Sequence, residues 1–141
     1  KVVAILLEKT IFADLTTNYY YIESIEYLYS LALSFVPNIG CIRAKQIIAQ
    51  LGSAEAFYLE KPKNLRKISG LSNHKLTRDQ LDYTVKEAER ILHQADRANH
   101  QILHYLDDLY PRRLKQIDDA PLILFGYGNL DLNPKRSLGI V

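Results

Sequence analysis

The chain has little sulfur and no long apolar run. Its 141 residues include no methionine, no tryptophan and one cysteine, Cys41. A single cysteine excludes a disulfide within the chain, and such usage favours a reducing compartment. The apolar stretch Val2–Leu7 is stopped by Glu8, so it is too short to cross a bilayer or to form a signal peptide.

Positive charge is concentrated in the middle of the chain. The net charge of the whole chain is only +2, but residues 36–79 carry eight basic and three acidic residues and have a net charge of +5. Residues 1–35 and 80–141 have net charges of −2 and −1. A polyanion would therefore be attracted most to the middle third, although a solvated basic face has the same composition.

Helical periodicity dominates the first two thirds of the sequence. Apolar spacing predicts helices at residues 22–35, at Cys41–Leu51 and from Thr77 onward, with short helices after Ser53 and at 62–67. The pattern Thr77-x-x-Gln80 is a capping box at the start of the longest stripe. Tyr27 and Tyr29 are expected to pack between helices rather than to stack on bases.

The pattern changes to short strands after about residue 99. Apolar runs predict strands at Ile102-Leu103, at 122–125 and at 137–141, with one helical turn near 112–116. The last strand would need cover for its edge. We therefore expect the sequence to be part of a longer protein.

The segment Val36-Pro37-Asn38-Ile39-Gly40-x-x-x-Ala44 carries the helix-hairpin-helix signature. Pro37 ends one helix, Ile39 fills the space between two helices, and Gly40 leaves no side chain at the opening of the second. The free amides at such an opening favour a phosphate oxygen, and this contact does not read base identity. We predict nucleic-acid contacts here at Asn38, Ile39, Gly40, Arg43 and Lys45.

The same spacing recurs 32 residues later in a weaker form. Ile68, Leu71, Ser72 and Leu76 stand where the first copy has Val36, Ile39, Gly40 and Ala44, and Gly70 replaces Asn38. The contacts predicted for this copy are Lys67, Gly70, His74 and Lys75. Hairpins of this kind also serve as packing devices or as contacts for proteins. A protein-interaction module without DNA contact is therefore a second interpretation.

The order Tyr110-Pro111-x-x-Leu114-x-x-Ile117-x-x-x-Pro121-x-x-Leu124-x-x-x-Gly128, followed by Leu138-Gly139-Ile140-Val141, resembles the entry to the Rossmann-like domain of DprA/Smf DNA-processing proteins. In that family a helical domain, often of the helix-hairpin-helix or SAM-like kind, precedes this stretch. The resemblance covers residues 27–141. It implies a cytoplasmic, homodimeric mediator without catalytic chemistry that binds single-stranded DNA, passes it to the RecA recombinase and supports natural transformation.

The predicted fold is mainly α. An N-terminal extension (1–21) precedes a tandem helix-hairpin-helix (SAM-like) domain (22–99) and the first strands of a truncated Rossmann-like α/β domain (100–141). The family's main single-strand pocket includes a Gly-Ser/Thr-Arg loop that would follow residue 141, so we expect this chain to lack it. An appendage of a nucleotide-utilising Rossmann enzyme is a third interpretation.

Other residues with reactive side chains favour structural roles. The pairs Asp107-Asp108 and Asp118-Asp119 lie beside turns, where adjacent side chains diverge. His100 and His104 have helical metal-ligand spacing, but they fall where the helix is expected to end and have no third ligand nearby. Gly126-x-Gly128 lacks the third glycine of a dinucleotide loop. We predict no catalytic residue, no metal site and no cofactor.

Overall fold

In the part of the chain that the structure describes, five helices precede a pair of short strands. The computed structural model describes residues 16–68, 71 and 76–136. Within them the elements are α1 (Thr16–Ser34), α2 (Cys41–Leu51), α3 (Ala54–Leu59), α4 (Pro62–Leu65), α5 (Arg78–Arg97), β1 (Gln101–His104), a 3-10 turn (Leu114–Gln116) and β2 (Ile123–Gly126). The mainly helical class is as predicted, although α1 begins earlier than expected, at Thr16. The strand predicted at 137–141 lies outside the described residues.

Helix α1 lies at the centre of the core. It is apolar around much of its circumference, and Leu28, Leu31, Ala32 and Leu33 are all buried. It contacts α2, α3 and α5. Each helix adds buried side chains to one cluster, which includes Ala44, Ile47, Phe57, Tyr58, Leu65, Leu81 and Ala88. None of the helices in the described part of the chain has the length and hydropathy needed to cross a membrane.

Side-chain caps fix where α3 and α5 begin. The Ser53 hydroxyl accepts a hydrogen bond from the Ala56 amide at 3.0 Å. The Thr77 hydroxyl accepts from the Gln80 amide at 3.3 Å, and the Gln80 side chain accepts from the Thr77 amide at 3.0 Å. These bonds occupy amides that have no partner within the first turn of a helix. The predicted capping box at Thr77 is therefore confirmed, and Ser53 caps α3.

We expect Thr77→Ala to lower the free energy of unfolding by about 1 kcal/mol, because the first turn of α5 loses an acceptor for its amides. Urea unfolding followed by circular dichroism measures this change. Gln50→Ala is a suitable control, since Gln50 is exposed on α2 and caps nothing; its effect should stay within about 0.5 kcal/mol. Equal effects of the two substitutions would show that the cap does not stabilise α5.

The two strands pair antiparallel and join the helical core. His104 lies opposite Ile123, and Ile102 lies opposite Phe125. Opposite residues of an antiparallel pair share a face of the sheet. His104 is hydrogen-bonded to α1, and Ile123 packs against the helical cluster, which also contains Leu122. The structure thus brings the strand pair onto the helices, while the predicted Rossmann-like continuation stays a prediction.

Candidate nucleic-acid interface

A tight corner connects α1 to α2 at the first predicted hairpin. The Ile39 amide donates to the Val36 carbonyl at 3.1 Å, which closes the turn. Asn38 has a left-handed backbone with a φ of 63°, a conformation that asparagine tolerates better than most residues. Ile39 points into the core and is only 4% exposed, whereas Asn38 and Gly40 are exposed. The corner therefore has the exposed turn and the buried plug that the sequence predicted.

The opening of α2 offers uncapped amides. Gly40 is the N-cap and has no side chain to accept a hydrogen bond. Within the described residues, the amides of Cys41, Ile42 and Arg43 have no acceptor, because the first bond of the helix runs from the Ala44 amide to the Gly40 carbonyl at 2.9 Å. Such amides carry partial positive charge and attract anions. This end of α2 is chemically suited to a phosphate oxygen.

Nothing within the described part of the chain requires a glycine at position 40. Its φ of −84° and ψ of 176° are open to any residue, and a Cβ built there meets no atom within 4 Å. Internal packing therefore does not explain the missing side chain. Open space above an uncapped helix start is the arrangement that lets an external group approach the amides closely.

The two cations that follow this corner are held differently. The Arg43 guanidinium donates to the Asn38 carbonyl at 2.6 Å, so it lies over the corner and still has further N–H donors. The Lys45 ammonium donates to the Asp118 carbonyl at 3.0 Å and lies 5.9 Å from the centre of the Tyr105 ring. Arg43 is therefore well placed for an external phosphate, whereas Lys45 also ties α2 to the C-terminal segment.

The internal repeat is visible in the backbone hydrogen bonds. In the first copy, Phe35, Val36 and Ile39 each donate to the carbonyl three residues earlier, at 3.0, 3.2 and 3.1 Å. The residues 32 positions later, Lys67, Ile68 and Leu71, make the same three bonds at 2.9, 3.1 and 3.0 Å. The matching side chains are buried in both copies: Leu33, Val36, Ile39 and Ala44 in the first, and Leu65, Ile68, Leu71 and Leu76 in the second.

The second copy departs from the first after Leu71. Helix α5 begins at Arg78, and a capping box occupies the amides of Gln80 and Thr77. The opening of α5 therefore has a side-chain cap, which the opening of α2 lacks. Lys67 is exposed beside this corner. The remaining predicted contacts of this copy, Gly70, His74 and Lys75, lie outside the described residues.

A polar network, buried at Ser30 and His104, connects α1 to β1, which the sequence pattern did not predict. The Tyr27 hydroxyl donates to the Asp107 carboxylate at 2.6 Å, and the same oxygen accepts from the His104 amide at 2.6 Å. The Ser30 hydroxyl lies 3.0 Å from His104 Nε2. The Tyr27 and His104 rings are also stacked. In the sequence, only isolated polar residues on apolar helices indicate this network. The pairs themselves cannot be recognised there, because their members are 74 and 80 residues apart along the chain.

The hydrogen-bond partners assign the protonation of His104. Its Nδ1 accepts from the Leu106 amide at 3.4 Å, so the proton is on Nε2 and is donated to Ser30. Ser30 in turn donates to the Glu26 carboxylate at 3.4 Å, which also accepts from the Ala54 amide at 3.0 Å. Burial lowers the pKa of His104 from 6.5 to about 4 and raises the pKa of Glu26 above 4.5. The imidazole is therefore neutral near pH 7.

The candidate metal ligands do not come together in the described residues. The exposed His100 contacts the Tyr127 ring, whereas His104 lies between Tyr27 and Tyr105, and no group of three metal-ligating side chains occurs in this part of the chain. The Ser30–His104 pair resembles a catalytic arrangement, but Ser30 is completely buried. Its observed contacts hold α1 against β1.

Comparison with known proteins places the resemblance in the C-terminal part. Residues 101–141 match the family model of DNA recombination-mediator protein A, the DprA family. The predicted resemblance is thus confirmed over these residues, and the match supports a role in DNA processing. No curated protein and no solved structure matches the chain.

Proposed function

We propose, from the match of residues 101–141 to the DNA recombination-mediator protein A family, that this chain is part of a cytoplasmic, non-enzymatic mediator of DNA processing. It binds single-stranded DNA and aids its transfer to the RecA recombinase, as homodimers in the family do. In this proposal residues 22–99 form a tandem helix-hairpin-helix domain that contacts the phosphate backbone, and residues 100–141 lead into a Rossmann-like domain.

The uncapped start of α2 is the observation that carries the DNA-binding part of the proposal. Three amides that have no acceptor among the described residues lie beside the Arg43 guanidinium, and no atom of those residues fills the space above Gly40. A phosphate oxygen would complete the missing hydrogen bonds and meet the positive end of the helix dipole. The contact would be weak and sensitive to salt because it involves the backbone of DNA alone.

Gly40→Asp tests this contact without disturbing the fold. The backbone of residue 40 accepts any side chain, and aspartate is a good N-cap, so stability should stay the same or rise by a few tenths of a kcal/mol. The carboxylate would occupy the free amides and repel phosphate. We expect roughly a tenfold or greater loss of affinity for a labelled oligothymidine, about 1.4 kcal/mol, measured by fluorescence anisotropy at low salt.

Gly40→Asn provides the matched control, because asparagine caps the helix without the negative charge. We expect it to weaken binding less than Gly40→Asp does. A third variant, which combines Arg43→Glu, Lys45→Glu, Lys67→Glu and Lys75→Glu, should abolish binding. Unchanged DNA affinity in all three variants would favour the protein-interaction module instead.

A further inference from the structure

A basic turn lies between the two hairpin corners. Residues 61–67 include four cations within seven positions, Lys61, Lys63, Arg66 and Lys67, and the structure exposes all four. Only Lys67 belongs to the contacts predicted from the sequence. We call these four side chains the basic turn.

The cations of the basic turn do not pair with any acidic side chain that the structure describes. In the described part of the chain, none of the four forms an ion pair, whereas the nearby Arg78 pairs with Asp82 at 3.1 Å. The one acidic neighbour, Glu60, is occupied, because its carboxylate accepts from the Asn64 side chain at 2.9 Å and from the Lys61 amide at 3.3 Å. With Glu60 included, residues 60–67 carry four basic groups and one acidic group, a net charge of +3 that solvent or an external anion must balance.

The fold holds these charges together although they repel each other. Lys63 is three residues from Arg66 and four from Lys67, and like charges at these spacings on a helical turn are destabilising. Backbone hydrogen bonds keep this segment helical. The Asn64 and Leu65 amides donate to the Lys61 carbonyl, and the Ile68 amide donates to the Leu65 carbonyl. Leu65 and Ile68 fix its other face in the core, at 1% and 6% exposure. The cations thus stand on a hydrogen-bonded turn whose other face is packed in the core.

We propose that the basic turn is a second phosphate-binding element and that it contacts the backbone of single-stranded DNA. This inference rests on the proposed function and extends it to Lys61, Lys63 and Arg66. Unpaired cations on a fixed turn complement a polyanion, and they supply the charge that the self-capped start of α5 does not. The contact, like that at Gly40, reads no base identity.

The test compares two variants of the 141-residue chain with equal loss of charge. One variant carries Lys61→Gln, Lys63→Gln, Arg66→Gln and Lys67→Gln. The control carries Lys86→Gln, Arg97→Gln, Arg112→Gln and Arg113→Gln, which lie on exposed positions elsewhere and form no ion pair in the described residues. Affinity for a labelled oligothymidine is measured by fluorescence anisotropy between about 50 and about 200 mM NaCl.

We expect the basic-turn variant to lose at least about tenfold in affinity at the low-salt end. Its log–log salt slope should fall in magnitude by about 0.7 for each phosphate contact removed. The control variant should keep the slope of the original protein. Thermal unfolding by circular dichroism should show that both variants are folded. If the fourfold change unfolds the chain, four variants that each replace one cation of the basic turn are measured instead.

The outcomes separate this inference from the proposed function. If the original protein does not bind the oligothymidine, the DNA-binding function itself is wrong. If it binds and the two variants have equal slopes, the basic turn is not a DNA contact, although the function stands. If the basic-turn variant binds DNA normally and instead loses binding to vesicles of phosphatidylcholine and phosphatidylglycerol, the turn is a membrane contact and the inference is overturned.

Discussion

Ile39→Ala and Leu71→Ala are each expected to lower the free energy of unfolding by about 3 kcal/mol. Both side chains occupy the same position of the repeat, and they are 4% and 0% exposed. Truncating a buried isoleucine or leucine removes its transfer free energy and leaves a cavity, at a cost of about 2 to 5 kcal/mol. Urea unfolding at neutral pH measures both losses.

Ile42→Ala and Leu109→Ala are the matched controls, since these side chains are 49% and 69% exposed. Each should change stability by less than about 1 kcal/mol. Ile39 and Ile42 are a closely matched pair, because they are the same residue type three positions apart, on the two sides of the Gly40 corner. A loss below about 1 kcal/mol for Leu71→Ala would mean that the second copy does not contribute to the core as the first does.

Stability is expected to fall by about 2 kcal/mol between pH 7 and pH 4.5 because of His104. Burial lowers its pKa from 6.5 to about 4, so the folded state binds fewer protons than the unfolded state between these values. Folding stability contributed by the neutral ring is therefore complete above pH 6.5 and is lost as the pH falls toward 4.

The neighbours of His104 modify this pH dependence. Asp107 favours the charged ring and Lys115 disfavours it, while Tyr27, Ser30 and Tyr105 add no charge near pH 7. Glu26, reached through Ser30, acts in the opposite direction because its raised pKa favours proton uptake by the folded state. The histidine contribution must therefore be isolated by difference.

The substitution His104→Gln isolates the histidine contribution to the pH dependence of stability, because glutamine does not titrate. Urea unfolding of both proteins at pH 7 and pH 4.5 gives the measurement, and Glu26→Gln removes the opposing carboxyl from the comparison. We expect the pH-dependent loss to shrink in His104→Gln, whatever that substitution costs at neutral pH. The same pH slope in both proteins would contradict a buried, neutral His104.

The sequence predicted the local structure better than the contacts between distant segments. The capping box at Thr77 and the corner at Asn38–Gly40 depend on neighbouring residues, so their patterns could be read directly. The predicted start of α1 is later than the observed start at Thr16, because the apolar stripe becomes distinct only near Ile22. The antiparallel pairing of β1 with β2 follows no local rule, since it depends on where the helices leave room for the strands.

Most of the candidate site was predictable for the same reason. Asn38, Gly40 and Arg43 form one local turn, and the structure brings them together. Lys45 was expected beside them, but its hydrogen bond to Asp118 depends on a segment far along the chain. The pattern at Thr77 and Gln80 predicts the capped start of α5. The consequence for the second copy of the repeat follows only from the structure, which shows where this helix begins.

The shared core has a consequence for how such a protein could be modified or recombined. Leu122 follows the helical part in sequence, but it fills space among the helices, and His104 is bonded to Ser30 across the same boundary. A gene fusion that replaced only the segment up to residue 99 would leave cavities where the new helices meet the original strand pair. The helices and the strand pair must therefore be transferred as one unit if a chimaera is to fold.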